Sequence, residues 1–392
     1  VRSSAEKAGS PTEVRVATPA RLPVLWLCWQ PTPYNNLLFR SLSADPRLDL
    51  TVHFICPVLS SHPWQSVTPA GFSFRYFRKV CGIDWHLIKS ALSDRKHMFV
   101  VAGWHDPTMQ FVSLILALRR RPFLLWTDTP NVTRRRGRAK AAIRTRWLRW
   151  LFSKATTVMG TGRTALSTLE DMGCPAEKLV NLPYFVDLDV FTPSARCSAD
   201  AARIYGSSGR LSDEKGYDLA LQALARVYAG RLDAFVYRIA GIGPDAHLLQ
   251  EKAKELGIAH RVEFLGWLEP DGLPDFYNSL DVFLHPARYE PYGVAVLEAM
   301  ASGKIVIGSD AAGVVIDRIH SGINGFVHRS GDAVDLALRI EEIGRDWNNM
   351  ERIRKAARVA TEAWPVSRGV DLVASIAGRT LRKVEPSGAF LA

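Results

Sequence analysis

Short, almost uninterrupted apolar runs alternate with amphipathic stretches along the chain, and they do so in two sets. The first set contains "LPVLWLCW", "LTVHFICP", "MFVVAG", "PFLLWTD" and "ATTVMGTG", separated by stretches such as "TMQFVSLILALRR" and "RTALSTLEDMG" with a 3.6-residue apolar period. A strand apolar on every residue has no side to turn to water, so it needs helices on both faces of its sheet. Strand–helix alternation of this kind predicts doubly wound parallel sheets. The pattern pauses at "FTPSARCSADAA" (Phe191 to Ala202) and resumes with "ARIYGSSG", "FVYRIAG", "RVEFLG", "DVFLHP" and "KIVIGS". A length of 392 residues also exceeds what one core usually supports. The expected organisation is a disordered tail over 1–22, one domain over 23–195 and a second over 203–365. A terminal helix over 366–385 is expected to cross back onto the first domain. Two such sheets face each other across a cleft, with ligands outside the carboxyl ends of their strands.

Composition narrows the partners. The chain is 47% hydrophobic and 23% charged, ordinary globular proportions. No run of eighteen apolar residues exists, and the first 22 residues lack the apolar core of a signal peptide. Five scattered cysteines without metal-ligand spacing fit a reducing compartment, so the expected location is cytoplasmic. The net charge is +11, yet "RRRGRAKAAIRTRWLRWLFSK" (Arg134 to Lys154) holds nine basic residues and no acid; without it the charge falls to +2. Basicity confined to one patch argues against a nucleic-acid partner. Within that patch a helix would align Ile143, Trp147, Trp150 and Leu151, flanked by Arg144, Arg146 and Arg149. Two readings stand side by side: a peripheral contact of 134–154 with the inner face of an anionic membrane, or a helix covering its own sheet.

Several loops carry chemistry-bearing residues. "GSSGRLSDEKGYD" (Gly206 to Asp218) places Arg210 and Lys215 between Gly209 and Gly216, just before a helix. Glycines let a ligand approach the backbone, and two cations beside a helix start suit a diphosphate. A solvated loop is the equal alternative. "AGIGPD" lacks the third glycine of a dinucleotide fingerprint and reads as a sheet-edge turn. "VDLDV" offers Asp187 and Asp189 in a metal-holding pattern, but beside the linker it reads as an interdomain turn. In "YEPYGVAVLEAMASG", Glu290 falls on a strand-end loop and Glu298 about one and a half turns into the following helix. The backbone N–H groups of Tyr292, Gly293 and Val294 then face a phosphate, and Glu298 a hydroxyl-rich group. In "WQPTPYNNLLF", Tyr34 and Asn35 suit donor or acceptor contacts across the cleft, or a simple turn.

Taken together, Gly209-Arg210-Leu211, Lys215-Gly216, Gly266 after a strand, Glu290-Pro-Tyr-Gly, Glu298-Ala and the trailing "GxNGFV" (Gly322 to Val327) resemble the retaining GT-B glycosyltransferases of family 4. The likeness is dense over 203–335 and looser over 20–195, where it covers the strand order and "NLPYFVDLDVF" (Asn181 to Phe191). It implies two Rossmann-like domains, with the acceptor (a saccharide, a lipid-linked glycan or a small metabolite) on the first and a nucleotide-sugar donor, by family habit a UDP-sugar, on the second. Neither a metal nor a further cofactor is implied. Arg210 and Lys215 would neutralise the diphosphate, Gly266, Trp267 and Leu268 would border the base, Glu298 would hold the ribose, and Glu290 would face the donor sugar. Two positions depart from the family pattern. Asp128 in "FLLWTDTPN" stands where members often carry a sugar-contacting histidine, with His105 in "AGWHDP" as a substitute. The family's "GGxxE" reads "AAGVVID", with Ile316 at the glutamate position and Asp317 next to it. A GT-B-shaped sugar-nucleotide epimerase or hydrolase is the alternative activity.

Overall fold

The computed structural model describes residues 21–57, 67–130, 137–194, 202–229 and 235–382. Most of the expected tail, the three arginines at 134–136 and residues 195–201 of the expected linker lie outside them.

The first half runs β1 (Leu22–Cys28), α1 (Pro33–Ala44), β2 (Leu48–Phe54), β3 (Ser73–Tyr76), α2 (Trp85–Ser93), β4 (Met98–Ala102), α3 (Pro107–Leu118), β5 (Phe123–Thr127), α4 (Arg138–Lys154), β6 (Thr157–Gly160), α5 (Arg163–Asp171) and β7 (Leu179–Asn181). Its strands form a parallel sheet in the order β3-β2-β1-β4-β5-β6-β7. The helix starts follow capping rules. Thr32 Oγ1 accepts from the backbone N–H of Asn35 ahead of Pro33, and Asp106 accepts from Thr108 and Met109 ahead of Pro107. Side chains alternate between two cores. Val24, Trp26 and Cys28 pack on one face of the sheet with Leu38 and Phe39, while Leu25 and Leu27 pack on the other with Val112 and Leu151. The edge strand β3, in "GFSFRYF", has no continuous apolar run to announce it and is mostly exposed.

The second half runs β8 (Arg203–Ser208), α6 (Tyr217–Val227), β9 (Phe235–Ala240), α7 (Ala246–Glu255), β10 (Val262–Gly266), α8 (Leu273–Asn278), β11 (Val282–His285), α9 (Val294–Ala301), β12 (Ile305–Ser309), α10 (Gly313–Arg318), β13 (Phe326–His328), α11 (Ala333–Arg345) and α12 (Met350–Glu362). Its parallel sheet has the order β10-β9-β8-β11-β12-β13, again with a core on each face. The chain then turns into α13 (Val366–Arg382), whose Val370, Val373, Ala374 and Ala377 join the first half's core beside α1 and β1. No helix among the described residues is long and apolar enough to cross a membrane.

Both sheets reverse direction of growth at one place, between β1 and β4 in the first and between β8 and β11 in the second. Loops leaving adjacent strands at such a point diverge and leave a crevice. The two crevices face each other here. Tyr184 from the first half meets Tyr292 from the second with ring centroids 5.6 Å apart, and Thr129 Oγ1 donates to the carbonyl of Pro291 at 2.9 Å.

Candidate active site

A cavity of about 740 Å³ lies between the halves, large enough for a small-molecule ligand. The loops after β8 and β11 form one wall, and they are tied together. Arg288 makes a paired contact with Asp218, both N–O distances being 2.7 Å, and its Nη1 donates to the carbonyl of Asp213. The backbone N–H groups of Arg288 and Tyr289 donate to the carbonyl of Glu214. Gly216 permits this approach. Its φ is +65°, and a Cβ built there would stand 2.1 Å from the carbonyl oxygen of Pro286. The Gly-x-Gly of "AGIGPD" serves the same packing, because a Cβ on Gly241 would meet the Gly209 carbonyl oxygen at 1.9 Å.

This framework sets the charged groups. Lys215 Nζ donates to Glu290 Oε2 at 2.5 Å, and His285 Nε2 lies 3.5 Å from the same oxygen. Burial alone would raise the Glu290 pKa, but the Lys215 charge and the His285 contact outweigh it and hold the carboxyl down to about 2. Arg210, by contrast, is exposed on the cavity wall and has no ion pair with the described residues. Helix α9 begins at Gly293 without a side-chain cap, and Tyr292, Gly293, Val294 and Ala295 line the cavity. Uncapped N–H groups there present partial positive charge to it. Further along α9, Glu298 Oε2 accepts from Tyr277 Oη at 2.7 Å, and that hydroxyl also meets Ser208 Oγ at 3.0 Å. Burial pushes the Glu298 pKa up to about 7, with the Tyr277 bond pulling the other way.

The opposite wall is aromatic. Tyr34 packs on Tyr184 at 4.5 Å, and Tyr184 leans on Trp126 at 5.6 Å. Among these rings stands Asp128, which accepts from Thr161 Oγ1 at 3.0 Å and is hydrogen-bonded by Tyr184. Its surroundings raise the carboxyl pKa by desolvation, against those two bonds.

Of the residues singled out from sequence, Gly209, Arg210, Lys215, Trp267, Leu268, Glu290, Tyr292, Gly293, Val294, Glu298, Tyr34 and Asp128 meet at this cavity. Gly266 ends β10 just behind Trp267 and does not line it. Asn35 is turned inward, its Nδ2 donating to Cys28 Sγ at 3.7 Å. His105 stacks on Trp104 and lines a separate groove between α3 and α4, so the cavity contains Asp128 but not His105. Asp187 holds Arg40 at 3.5 Å and accepts from the N–H groups of Asp189 and Val190. Asp317 does not line the cavity but, mostly buried, receives the backbone N–H and Nε of Arg163 across the domains, at 3.1 Å each. His285, Tyr277 and Tyr184 were not singled out from the sequence. For His285 a signal existed, since it closes the strand five residues before Glu290. Tyr277 comes from a helix without a motif of its own, whereas Tyr184 lies in "NLPYFVDLDVF", the stretch of the first half that resembles the family.

Residues 197–360 match the family model for glycosyl transferases group 1. Among curated proteins, an uncharacterized glycosyltransferase of Methanocaldococcus jannaschii is 32% identical over 150 residues, 38% of each chain. A putative colanic acid biosynthesis glycosyltransferase of Salmonella typhimurium is 28% identical over 215 residues, 53% of this chain and 52% of that one. The chain thus spans about half or less of the curated relatives it matches. In three dimensions the likeness is longer. The Anabaena HepE crystal structure in complex with UDP superposes with a TM-score of 0.73 over 91% of this chain and all of that one, at 17% identity. Sucrose-phosphate synthase of Thermosynechococcus elongatus gives 0.71 over 93% and 100%, at 18%. The fold is GT-B.

Proposed function

We propose that the chain is a retaining glycosyltransferase that moves a sugar from a nucleotide-diphosphate donor, by this reading a UDP-sugar, to an acceptor hydroxyl. The observation that carries the reading is the grouping of Lys215, Arg210 and the uncapped start of α9 on one wall, with Glu290 and Glu298 held at fixed places beside them. Cations and N–H groups on that wall suit a diphosphate whose charge grows as the glycosidic bond breaks, without a metal ion. Glu298 accepts from the ribose hydroxyls. Trp267 and Leu268 flank the base, and Glu290 faces the sugar. The C1–O bond breaks with its electron pair leaving on the diphosphate. The acceptor oxygen then bonds C1 from the same face and gives its proton to a diphosphate oxygen. Asp128 and Tyr34 approach sugar or acceptor from the first domain, in a cytoplasmic, reducing setting.

The test is a thermal-shift screen of nucleotide-sugars, since a bound ligand stabilises by mass action, followed by turnover with candidate acceptors. UDP-sugars should give the largest shift, EDTA should leave turnover largely unchanged, and the product should keep the donor's anomeric configuration. Rapid epimerisation or hydrolysis of the donor with no acceptor present would replace this reading with the alternative one. Loss of turnover on EDTA treatment, restored by Mg²⁺, would overturn the metal-independent part.

A further inference from the structure

Helix α4 changes character along its length. Leu148, Leu151 and Phe152 are buried in the first domain's core, so this half covers its sheet. One turn earlier Ile143 is 71% exposed, and across from it on α3 Phe111 is 45% exposed. Between them runs a groove of about 540 Å³, lined also by Leu114, Trp147, Lys140 and Arg144. Apolar residues left uncovered over such a length mark a surface that meets something else.

Two further facts say what that is. Neither α3 nor α4 contains an acidic residue, and Lys140 and Arg144 lie one turn apart on the same face. The groove therefore joins a hydrocarbon-lined slot to a pair of cations, complementary to an amphiphile with a phosphate head. His105, just past the end of β4, also lines the groove. The neighbouring strands β1 and β5 lead to Tyr34 and Asp128 at the cavity, so groove and cavity open on the same edge of one sheet.

We propose that the groove binds a lipid phosphate, its tail between α3 and α4 and its phosphate on Lys140 and Arg144, and that the acceptor is carried on this lipid. The second clause rests on the transferase reading above; the binding site itself does not.

The probe is dodecyl phosphate below its micellar concentration, titrated calorimetrically into the full chain. Inorganic phosphate, uncharged dodecyl maltoside and phosphatidylglycerol vesicles serve as comparisons. Dodecyl phosphate should bind at least tenfold more tightly than either inorganic phosphate or dodecyl maltoside. Ile143→Asp and Lys140→Glu, both at exposed positions, should each weaken it tenfold or more while leaving UDP affinity unchanged. Equal binding by wild type and both variants would overturn the site, as would no binding of the monomeric probe. Binding to vesicles alone would replace the groove with a flat membrane-docking face. UDP titrated into the same samples decides the transferase reading separately.

Discussion

On the second domain's side of the cavity the polar groups hold one another: Lys215 grips Glu290, Tyr277 grips Glu298, and Arg288 ties the two loops through Asp218. On the first domain's side one carboxylate, Asp128, stands among the rings of Tyr34 and Tyr184. The folds behind these walls are alike, two parallel sheets with loops diverging at a reversal of strand order. Under the proposed function, the difference follows from what each wall would recognise. A charged diphosphate needs fixed charges in place before it arrives, since reorganising them during reaction costs rate. A sugar or acceptor surface is met by flat apolar faces with few polar contacts.

The sharpest way to break this contrast is to remove Lys215. Lys215→Ala takes away a cation from the leaving group and leaves Glu290 buried without its partner. kcat/KM should fall on the order of 10²-fold or more. Arg210→Ala should cost a similar factor by the first route alone, with Glu290 undisturbed. Steady-state kinetics on variants with wild-type melting temperatures measure both. Wild-type turnover in either would remove that residue from diphosphate stabilisation.

Glu298 offers a smaller effect with a pH signature. Hydrogen bonds to a charged group contribute about 1.5–3 kcal/mol, so Glu298→Ala should weaken UDP by roughly ten- to a hundredfold. Glu290→Ala should mainly slow turnover. With its pKa raised to about 7, Glu298 gains a proton as pH falls through neutrality, which removes its charge and turns one acceptor oxygen into a donor, so it accepts more weakly. UDP affinity should therefore drop about tenfold from about pH 8 to about pH 6, and Glu298→Gln should flatten the profile. Calorimetry at several pH values decides. A flat wild-type profile would mean that the ribose does not rest on this carboxylate.

These two walls were not equally legible in the sequence. The second domain's residues sit in short contiguous strings, "GRLSDEKG" and "YEPYGVAVLE", because each loop follows one strand and brings its own helix start. Spacing alone places such residues. That Lys215 and Glu290 would touch was not legible, because the contact depends on Gly216 letting one loop press on another. The first wall is assembled from Tyr34 at the start of α1 and from Asp128, Thr161 and Tyr184 on three separate loops, whose meeting only strand order fixes. The buried strands announced themselves by unbroken apolar runs, whereas mostly exposed β3 did not. Along α4 the reading of a helix that covers its own sheet holds for the half with Leu148, Leu151 and Phe152, while Ile143 is exposed.

Asp128 probes the weaker wall. Asp128→Asn keeps the shape and removes an acceptor and a charge. The expected loss in kcat/KM is about tenfold, the scale of one hydrogen bond to a charged group, with UDP affinity unchanged because the proposed reading sets the nucleotide against the other wall. His105→Ala, outside the cavity, should leave UDP affinity and donor KM untouched. If UDP binding fell with Asp128→Asn, the two walls would not divide the donor as described.

The smallest expected effect concerns what holds the walls together. Asp317 occupies the place next to the family glutamate, yet its carboxylate receives the backbone N–H and Nε of Arg163 at the start of α5. A carboxylate at a helix start is favoured by the helix's own N–H groups. Asp317 is nearly buried while the Arg163 side chain is 63% exposed, so the guanidinium part of the contact is the weaker part. Exposed ion pairs contribute about 0–1 kcal/mol. Arg163→Ala keeps the backbone donor and should change kcat/KM by no more than about fivefold. Asp317→Ala removes both contacts and should cost more, with a larger radius of gyration in solution without donor that UDP-sugar partly restores. Scattering with and without UDP-sugar separates the two variants. An Arg163→Ala effect equal to that of Asp317→Ala would place the coupling in the guanidinium. No change in either would mean that the aromatic contact of Tyr184 with Tyr292 and the Thr129 bond are enough to keep the cleft closed.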